Sequence, residues 1–205
     1  MDKAKRFCLA LFIAATFLAG TAGAWPIDHR VTQETTGWWS HNVSLAINDT
    51  LIVSEVAVGL WEGGESRFGK TDWQAIDSSV LGGIISQTSK YVFTRSRPSQ
   101  SADPNLWFQG KGHYSFPSGE VTNVTAIVTP FMLEYGHDYP AVYALAALPV
   151  YVGAIRVKNW GHWQTDVLAS WALGAGTGYV AHSLQSPFIL SFMPHGIMVG
   201  LKTSF

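Results

Sequence analysis

Residues 116–134 read FPSGEVTNVTAIVTPFMLE, a Pro-Ser-Gly turn that opens a long apolar stretch. Pro and Ser favour the start of a helix, so we predict a helix from Ser118 to Glu134. The first backbone N–H groups of a helix lack partners within it and carry partial positive charge. A phosphate oxygen can therefore bind there, with the Ser118 hydroxyl and the Gly119 N–H as donors. The alternative is an ordinary N-cap at Ser118.

A pair of cations lies upstream of this turn. Lys90 and Arg97 are seven residues apart, so on one helix they project from nearly the same side. We predict that helix over residues 72–94, with Pro98 stopping it soon after. An ammonium and a guanidinium on one face suit a dianionic phosphate, although a solvated helix face gives the same pattern. Arg95 points away from this side and is predicted to lie on the surface.

A third group lies downstream and contains a possible nucleophile. His162 and Asp166 are one helical turn apart, so the carboxylate can hold one ring nitrogen and leave the other to attack phosphorus. Arg156, six residues before His162, would bind another phosphate oxygen. A lone His-x3-Asp pair is more often a structural hydrogen bond, but the two phosphate patches upstream favour phosphoryl transfer.

The three groups together resemble the motifs of the type 2 phosphatidic acid phosphatase and vanadium haloperoxidase superfamily. Those motifs are Lys-x6-Arg-Pro, Pro-Ser-Gly-His and Ser-Arg-x5-His-x3-Asp, and the resemblance runs from about residue 72 to residue 182. It implies an all-α bundle with a metal-independent phosphatase site at one end and no cofactor. It also implies that His162 is the nucleophile and that Asp166 orients it. The phosphate-binding residues implied in the same way are Lys90, Arg97, Ser118, Gly119 and Arg156.

Two positions depart from these motifs. Ile155 replaces a Ser that is not central to the chemistry, whereas Glu120 replaces the His that protonates the leaving group in the family. A buried glutamic acid can donate a proton, but the neighbouring cations favour its ionised form. Three hypotheses therefore stay open: Glu120 is the general acid, His113 takes that role, or the site is weakened or non-catalytic.

The N-terminus has the pattern of a secretory signal peptide. Basic residues precede an apolar run from Phe7 to Gly20, and Ala22-Gly23-Ala24 offers a cleavage site. We predict cleavage after Ala24 and one phosphatase-like domain over residues 25–205, with a retained membrane anchor as the alternative. Cys8, the one cysteine, lies within this segment, so no disulfide framework is expected.

Composition favours a membrane surface or a lipid substrate. Charged residues make up 13% of the chain, there are nine tryptophans, and the net charge is −1 without a basic tract, which argues against nucleic-acid binding. We expect an exported phosphatase of the cell envelope or periplasm, with an integral inner-membrane protein as the alternative. Lipid or polyprenyl phosphates are favoured over soluble esters. A phosphate- or headgroup-binding protein is the rival hypothesis, and a vanadate-dependent haloperoxidase is a weaker one.

Three further helices are predicted, over residues 42–61, 139–156 and 166–182. Asp49 and Glu55 interrupt the first, and the uncharged run between Asp138 and Arg156 has 17 residues. We therefore expect neither to make a good membrane span. Residues 188–193 and 197–205 flank Pro194-His195-Gly196 and are predicted to form a C-terminal β-hairpin.

Overall fold

The computed structural model describes residues 27–184, 188–193 and 196–201. Most of this part is helical, and the predicted bundle of five helices is confirmed. The α-helices are α1 His41–Glu62, α2 Arg67–Phe93, α3 Gly119–Tyr135, α4 Ala147–Lys158 and α5 Gln164–Ser183. Short 3-10 helices, Gly37–Trp39 and Pro140–Ala146, precede α1 and α4.

Two strands follow the bundle. They are β1 Phe188–Met193 and β2 Gly196–Leu201, and they pair antiparallel. The turn residues Pro194 and His195 and the strand side chains lie outside the described residues, so the C-terminal hairpin stays a prediction. The predicted signal peptide, residues 1–24, also lies outside them.

Two helix boundaries differ from the prediction for local reasons. The second helix begins at Arg67 rather than Asp72, because the Ser66 hydroxyl accepts a hydrogen bond from the Gly69 N–H at 2.9 Å and caps an earlier start. The segment predicted as one helix from residue 139 to residue 156 is a 3-10 helix followed by α4.

The core lies around α3, which packs most extensively against α2 and α5. Val121, Val124, Val152 and Val167 form its apolar centre. Burial of these side chains from three helices fixes the end of α3 next to the ends of α4 and α5, since the core is continuous across them.

Small residues let α5 approach α3 closely. A Cβ added at Gly174 would lie 2.5 Å from the Thr122 carbonyl oxygen, and one at Gly178 would lie 2.5 Å from the Thr129 Cβ. The Thr122 and Thr129 hydroxyls donate to carbonyls four residues earlier on their own helix, at 2.9 and 2.7 Å. The interface therefore buries hydroxyls without leaving them unpaired.

Two helical segments are long and apolar enough to cross a membrane, which corrects the expectation that neither would be. They are α1 and Pro140–Lys158, each with a mean hydropathy of 1.5. Their apolar windows are only 17% and 28% buried inside the bundle. Glu55 was expected to interrupt α1 as a span, but its side chain turns inward, where its Oε1 accepts a hydrogen bond from Ser79 at 3.0 Å. The 3-10 helix and α4 together also extend the second segment to 19 residues.

Candidate active site

His162 lies in the turn between α4 and α5, almost fully buried. Its Nδ1 is 2.6 Å from the Ser115 carbonyl oxygen. A carbonyl can only accept, so Nδ1 carries the hydrogen and Nε2 carries the lone pair of the neutral ring. Burial, together with the charges of Arg156, Lys90 and Arg97, lowers the pKa of His162 to about 3. The ring is therefore neutral near pH 7, the state that a nucleophile requires.

Asp166 is bound more tightly to its other neighbours than to His162. Its Oδ1 accepts from Arg95 Nη1 at 2.5 Å, and its Oδ2 accepts from the Ser115 hydroxyl at 2.5 Å and from the Trp163 N–H at 2.9 Å. The distance from Oδ2 to His162 Nδ1 is 3.8 Å, which is too long for a hydrogen bond. Asp166 therefore orients His162 mainly through Ser115, whose carbonyl holds the ring.

Arg95 is the clearest correction to the sequence analysis, which assigned it to the surface. Its side chain is 2% exposed and lies between Asp166 and Asp28, with 2.7 Å from its Nη2 to Asp28 Oδ2. The guanidinium also lies over the Trp107 ring at 4.3 Å. Burial alone would raise the pKa of Asp166, but the charge of Arg95 and the contacts with His162 and Ser115 outweigh it and lower that pKa below its ordinary value.

Lys90 and Arg97 make no ion pair with any carboxylate among the described residues. Lys90 Nζ donates to the Pro117 carbonyl, and Arg97 donates to the carbonyls of Gly161 and Tyr114 at 3.3 and 3.2 Å. Burial, with Arg97 as the next largest cause, lowers the pKa of Lys90 to about 8. Two cations held by carbonyls beside His162 suit an anionic ligand.

The shared helix face predicted for these two cations is wrong. The second helix ends at Phe93, and Thr94 then takes a left-handed conformation with φ of 34°. Arg97 therefore reaches the site from a loop, while Lys90 reaches it from the last turn of α2.

Arg156 and Ser118 contribute buried polar groups without partners. Arg156 Nε and Ser118 Oγ have no hydrogen bond within the part of the chain that the structure describes. Ser118 stands at the N-cap position of α3, but its side chain makes no capping bond, so the ordinary N-cap is excluded. Its N–H instead donates to Ser170 Oγ at 2.8 Å. Gly119 follows directly, close to Lys90, because a Cβ there would lie 3.8 Å from Lys90 Cε.

Glu120 contacts a residue that the sequence analysis did not single out. Its Oε1 lies 2.8 Å from His41 Nε2, and its Oε2 accepts from the Ser44 hydroxyl at 2.7 Å. Of the three expected cations, only Arg156 is within ion-pair range, with its Nε 3.6 Å from Glu120 Oε1. His113, the other candidate acid, has its Nδ1 2.9 Å from the Ser96 hydroxyl.

A polar cavity of about 360 Å³ adjoins these groups. Its lining includes His41, Arg97 and Arg156. Arg97 and Arg156 thus share this cavity with His41, the residue that contacts Glu120. Among the described residues, no cluster of three His, Cys, Asp or Glu side chains could hold a metal ion.

The arrangement can bind a phosphate and present a nucleophile to it. Lys90, Arg97 and Arg156 supply positive charge, and Ser118 and Gly119 supply donors at a helix start. His162 Nε2 lies among these groups with its lone pair free, because Nδ1 is held by Ser115. The predicted site residues thus lie near one another, and Glu120 approaches them through Arg156, whose Nε is 3.6 Å from Glu120 Oε1.

Sequence comparison identifies the family to which this fold and these motifs belong. The sequence model of the PAP2 superfamily matches residues 73–189. A lipid A 1-phosphatase of Porphyromonas gingivalis is 33% identical over 110 residues, which cover 53% of this chain and 22% of that protein. An undecaprenyl-diphosphatase of Sulfolobus acidocaldarius is 28% identical over 110 residues, which cover 53% of this chain and 52% of that protein. The chain thus spans about half or less of the length of these curated relatives.

A solved structure shares the helical fold. The transmembrane PAP2 type phosphatidylglycerolphosphate phosphatase from Bacillus subtilis superposes with a TM-score of 0.57 at 18% identity. The match covers 89% of this chain and 96% of the other. The helical arrangement is therefore shared over nearly the whole of both chains.

Proposed function

The chain belongs to the PAP2 superfamily, and we propose that it is a membrane-embedded phosphatase of lipid or polyprenyl phosphates. The observation that carries this proposal is the neutral His162, which lies among three cations. Within the part of the chain that the structure describes, its Nε2 is free and two of those cations lack a carboxylate partner. The curated relatives named above act on lipid A and on undecaprenyl diphosphate. Their names support the substrate class.

The reaction has two steps in this proposal. His162 Nε2 attacks phosphorus, and the bond to the leaving oxygen breaks as that oxygen takes up a proton. Water then attacks the phosphohistidine, the P–N bond breaks, and its electron pair returns to Nε2. The three cations and the donors of Ser118 and Gly119 stabilise the charge on the equatorial oxygens, where most of the catalysis lies.

The orientation of the apolar helices supports a lipid substrate. His41 is the first residue of α1 and Arg156 lies in the last turn of α4, so the site ends of both candidate spans meet at the polar cavity. Exposed tryptophans stand at both ends of α1: Trp38 is 78% and Trp61 is 88% exposed. Tryptophan is enriched at both membrane interfaces. A lipid bound beside α1 would therefore place its phosphate at the level of the cavity.

Phosphate release from purified protein tests this function. Full-length protein in detergent micelles would be given phosphatidic acid, phosphatidylglycerol phosphate, undecaprenyl phosphate and glycerol 3-phosphate at equal concentrations. We expect release from at least one lipid and little from glycerol 3-phosphate. His162→Ala should abolish release, whereas His137→Gln, which alters a fully exposed histidine side chain, should leave it unchanged. Binding of these lipids without release by the wild type would instead indicate a headgroup-binding protein.

A further inference from the structure

We propose that His41 is the proton donor to the leaving group and that Glu120 positions it, an inference that rests on the phosphatase function proposed above. The family motif has a histidine where this chain has Glu120, which leaves a reaction of this kind without its usual imidazole. His41 supplies an imidazole beside that position, with its Nε2 2.8 Å from Glu120 Oε1.

The contacts of Glu120 leave it poorly suited to give a proton to substrate. Its Oε1 is taken by His41 and approached by Arg156 at 3.6 Å, and its Oε2 accepts from Ser44. Both of its oxygens are thus engaged by side chains of the protein, which leaves neither directed at a leaving group.

Two helices fix the position of the Glu120 carboxylate: α1, which supplies Ser44, and α3, which carries Glu120 itself. Ser44 is fully buried one turn after His41 on α1, and its hydroxyl lies within hydrogen-bond distance of both the His41 carbonyl and Glu120. Glu120 lies in the first turn of α3, next to the phosphate donors Ser118 and Gly119. The contact between His41 and Glu120 therefore joins the start of α1 to the start of α3, beside the phosphate donors Ser118 and Gly119.

His41 has a free nitrogen and access to the site. Within the described residues the ring makes its hydrogen bond through Nε2, to Glu120, which leaves Nδ1 unbonded. The side chain lines the polar cavity with Arg97 and Arg156. In the first step the Nδ1–H of protonated His41 passes to the leaving oxygen as the P–O bond breaks. In the second step neutral His41 takes a proton from the attacking water at Nδ1. Its Nε2 keeps its hydrogen throughout and stays hydrogen-bonded to Glu120, as in other carboxylate and histidine pairs.

Leaving-group dependence separates this role from a structural one. The first turnover of an alkyl phosphate should slow by roughly 10² to 10⁴-fold in His41→Gln, the usual contribution of a general acid. The first turnover of 4-nitrophenyl phosphate needs no proton on its leaving group and should stay within about tenfold of wild type. Glu120→Gln should show the same selective loss at a smaller size, because the imidazole stays but loses its orientation.

A double variant provides the decisive rescue. In His41→Gln, the further change Glu120→His returns an imidazole to the family position and should restore first-turnover rates on alkyl phosphates. His113→Gln should behave as wild type on both esters. Equal slowing of both esters in His41→Gln, no rescue by Glu120→His, or a selective loss in His113→Gln would each overturn the role of His41. If wild type releases no phosphate from any ester, the phosphatase function itself fails, so the two failures are distinguishable.

Discussion

At the residue scale, Lys90 makes anion binding depend on pH. Its pKa is lowered to about 8, so its charge is present below pH 8 and is lost as the pH rises through that value. Sulfate keeps the same charge over this range and can serve as a competitive inhibitor. We expect its inhibition constant to be steady near pH 7 and to rise by up to about tenfold per pH unit above 8, as the protonated fraction of Lys90 falls.

A guanidinium at the same position provides the control for this prediction. Lys90→Arg keeps its charge over the whole range, so its inhibition constant should change little between pH 7 and pH 9. The same pH dependence in wild type and Lys90→Arg would show that another group causes it.

Arg95 supports a second prediction at this scale, because it is buried between two carboxylates. Arg95→Ala leaves Asp28 and Asp166 buried without their cation, a change that typically costs about 3 to 5 kcal/mol of stability. Arg67→Ala, which breaks ion pairs on an exposed side chain, should be much milder. Thermal unfolding in detergent measures both variants, and equal effects would contradict the structural role of Arg95.

The candidate site residues that could be predicted from the sequence are those that lie in short local patterns. The members of each pair, Lys90 with Arg97, Ser118 with Gly119, and Arg156 with His162, are at most seven residues apart, so their spacing is informative. Arg95 pairs with Asp28 and Asp166, which are 67 and 71 positions away. No local pattern reveals such partners, and without them an arginine is expected on the surface.

His41 was missed for the same reason. It lies 79 positions before Glu120, outside all three motifs and at the start of a helix that carries none of them. The one signal in the sequence was the departure from the family motif at Glu120, because the loss of a catalytic histidine there suggests that another imidazole lies nearby. Only the packing of α1 against α3 identifies which histidine it is.

At the scale of the elements, the contact between α3 and α5 depends on glycine. A Cβ at Gly174 would lie 2.5 Å from the Thr122 carbonyl oxygen, which is backbone and cannot give way cheaply. Gly174→Ala should therefore separate the two helices and lower the unfolding temperature. Since Asp166 and the α3 start lie at one end of this contact, activity should fall as well.

Gly83 of α2 is the matched control. A Cβ there would meet no atom of the described residues within 4 Å, and replacing a helical glycine by alanine stabilises by up to about 1 kcal/mol. Gly83→Ala should thus unfold at the same or a higher temperature. A similar loss in both variants would mean that the packing of α3 on α5 is not the cause.

The helix count was predictable from the sequence, whereas the exposure of the two long apolar helical segments was not. Apolar stretches separated by Pro and Gly predict helices directly. Whether their apolar faces lie inside the bundle depends on the tertiary packing. The charged residues of α1 also led to the wrong expectation that it would be a poor span, since Glu55 turns toward α2 and away from the outer face.

At the scale of the whole molecule, the outer face of α1 should contact lipid. Val53, which is 68% exposed, would be replaced by cysteine in a Cys8→Ser background and labelled with a nitroxide in lipid vesicles. We expect its collisions with oxygen to exceed those with a water-soluble nickel chelate. The same label at Ser101, in the loop before α3, is the control and should show the reverse. Preferential access of nickel to position 53 would contradict a membrane-embedded α1.

The central claim is that phosphate passes through His162, and trapping the intermediate tests it most directly. Wild type and His41→Gln would be mixed with 4-nitrophenyl phosphate, quenched in alkali and analysed by tandem mass spectrometry after digestion. We predict a phosphate on His162 that is stable to alkali and lost in acid, and that accumulates in His41→Gln because the second step is slowed. The modification should be absent from His162→Ala. Phosphate on another residue, or full turnover by His162→Ala, would contradict the account.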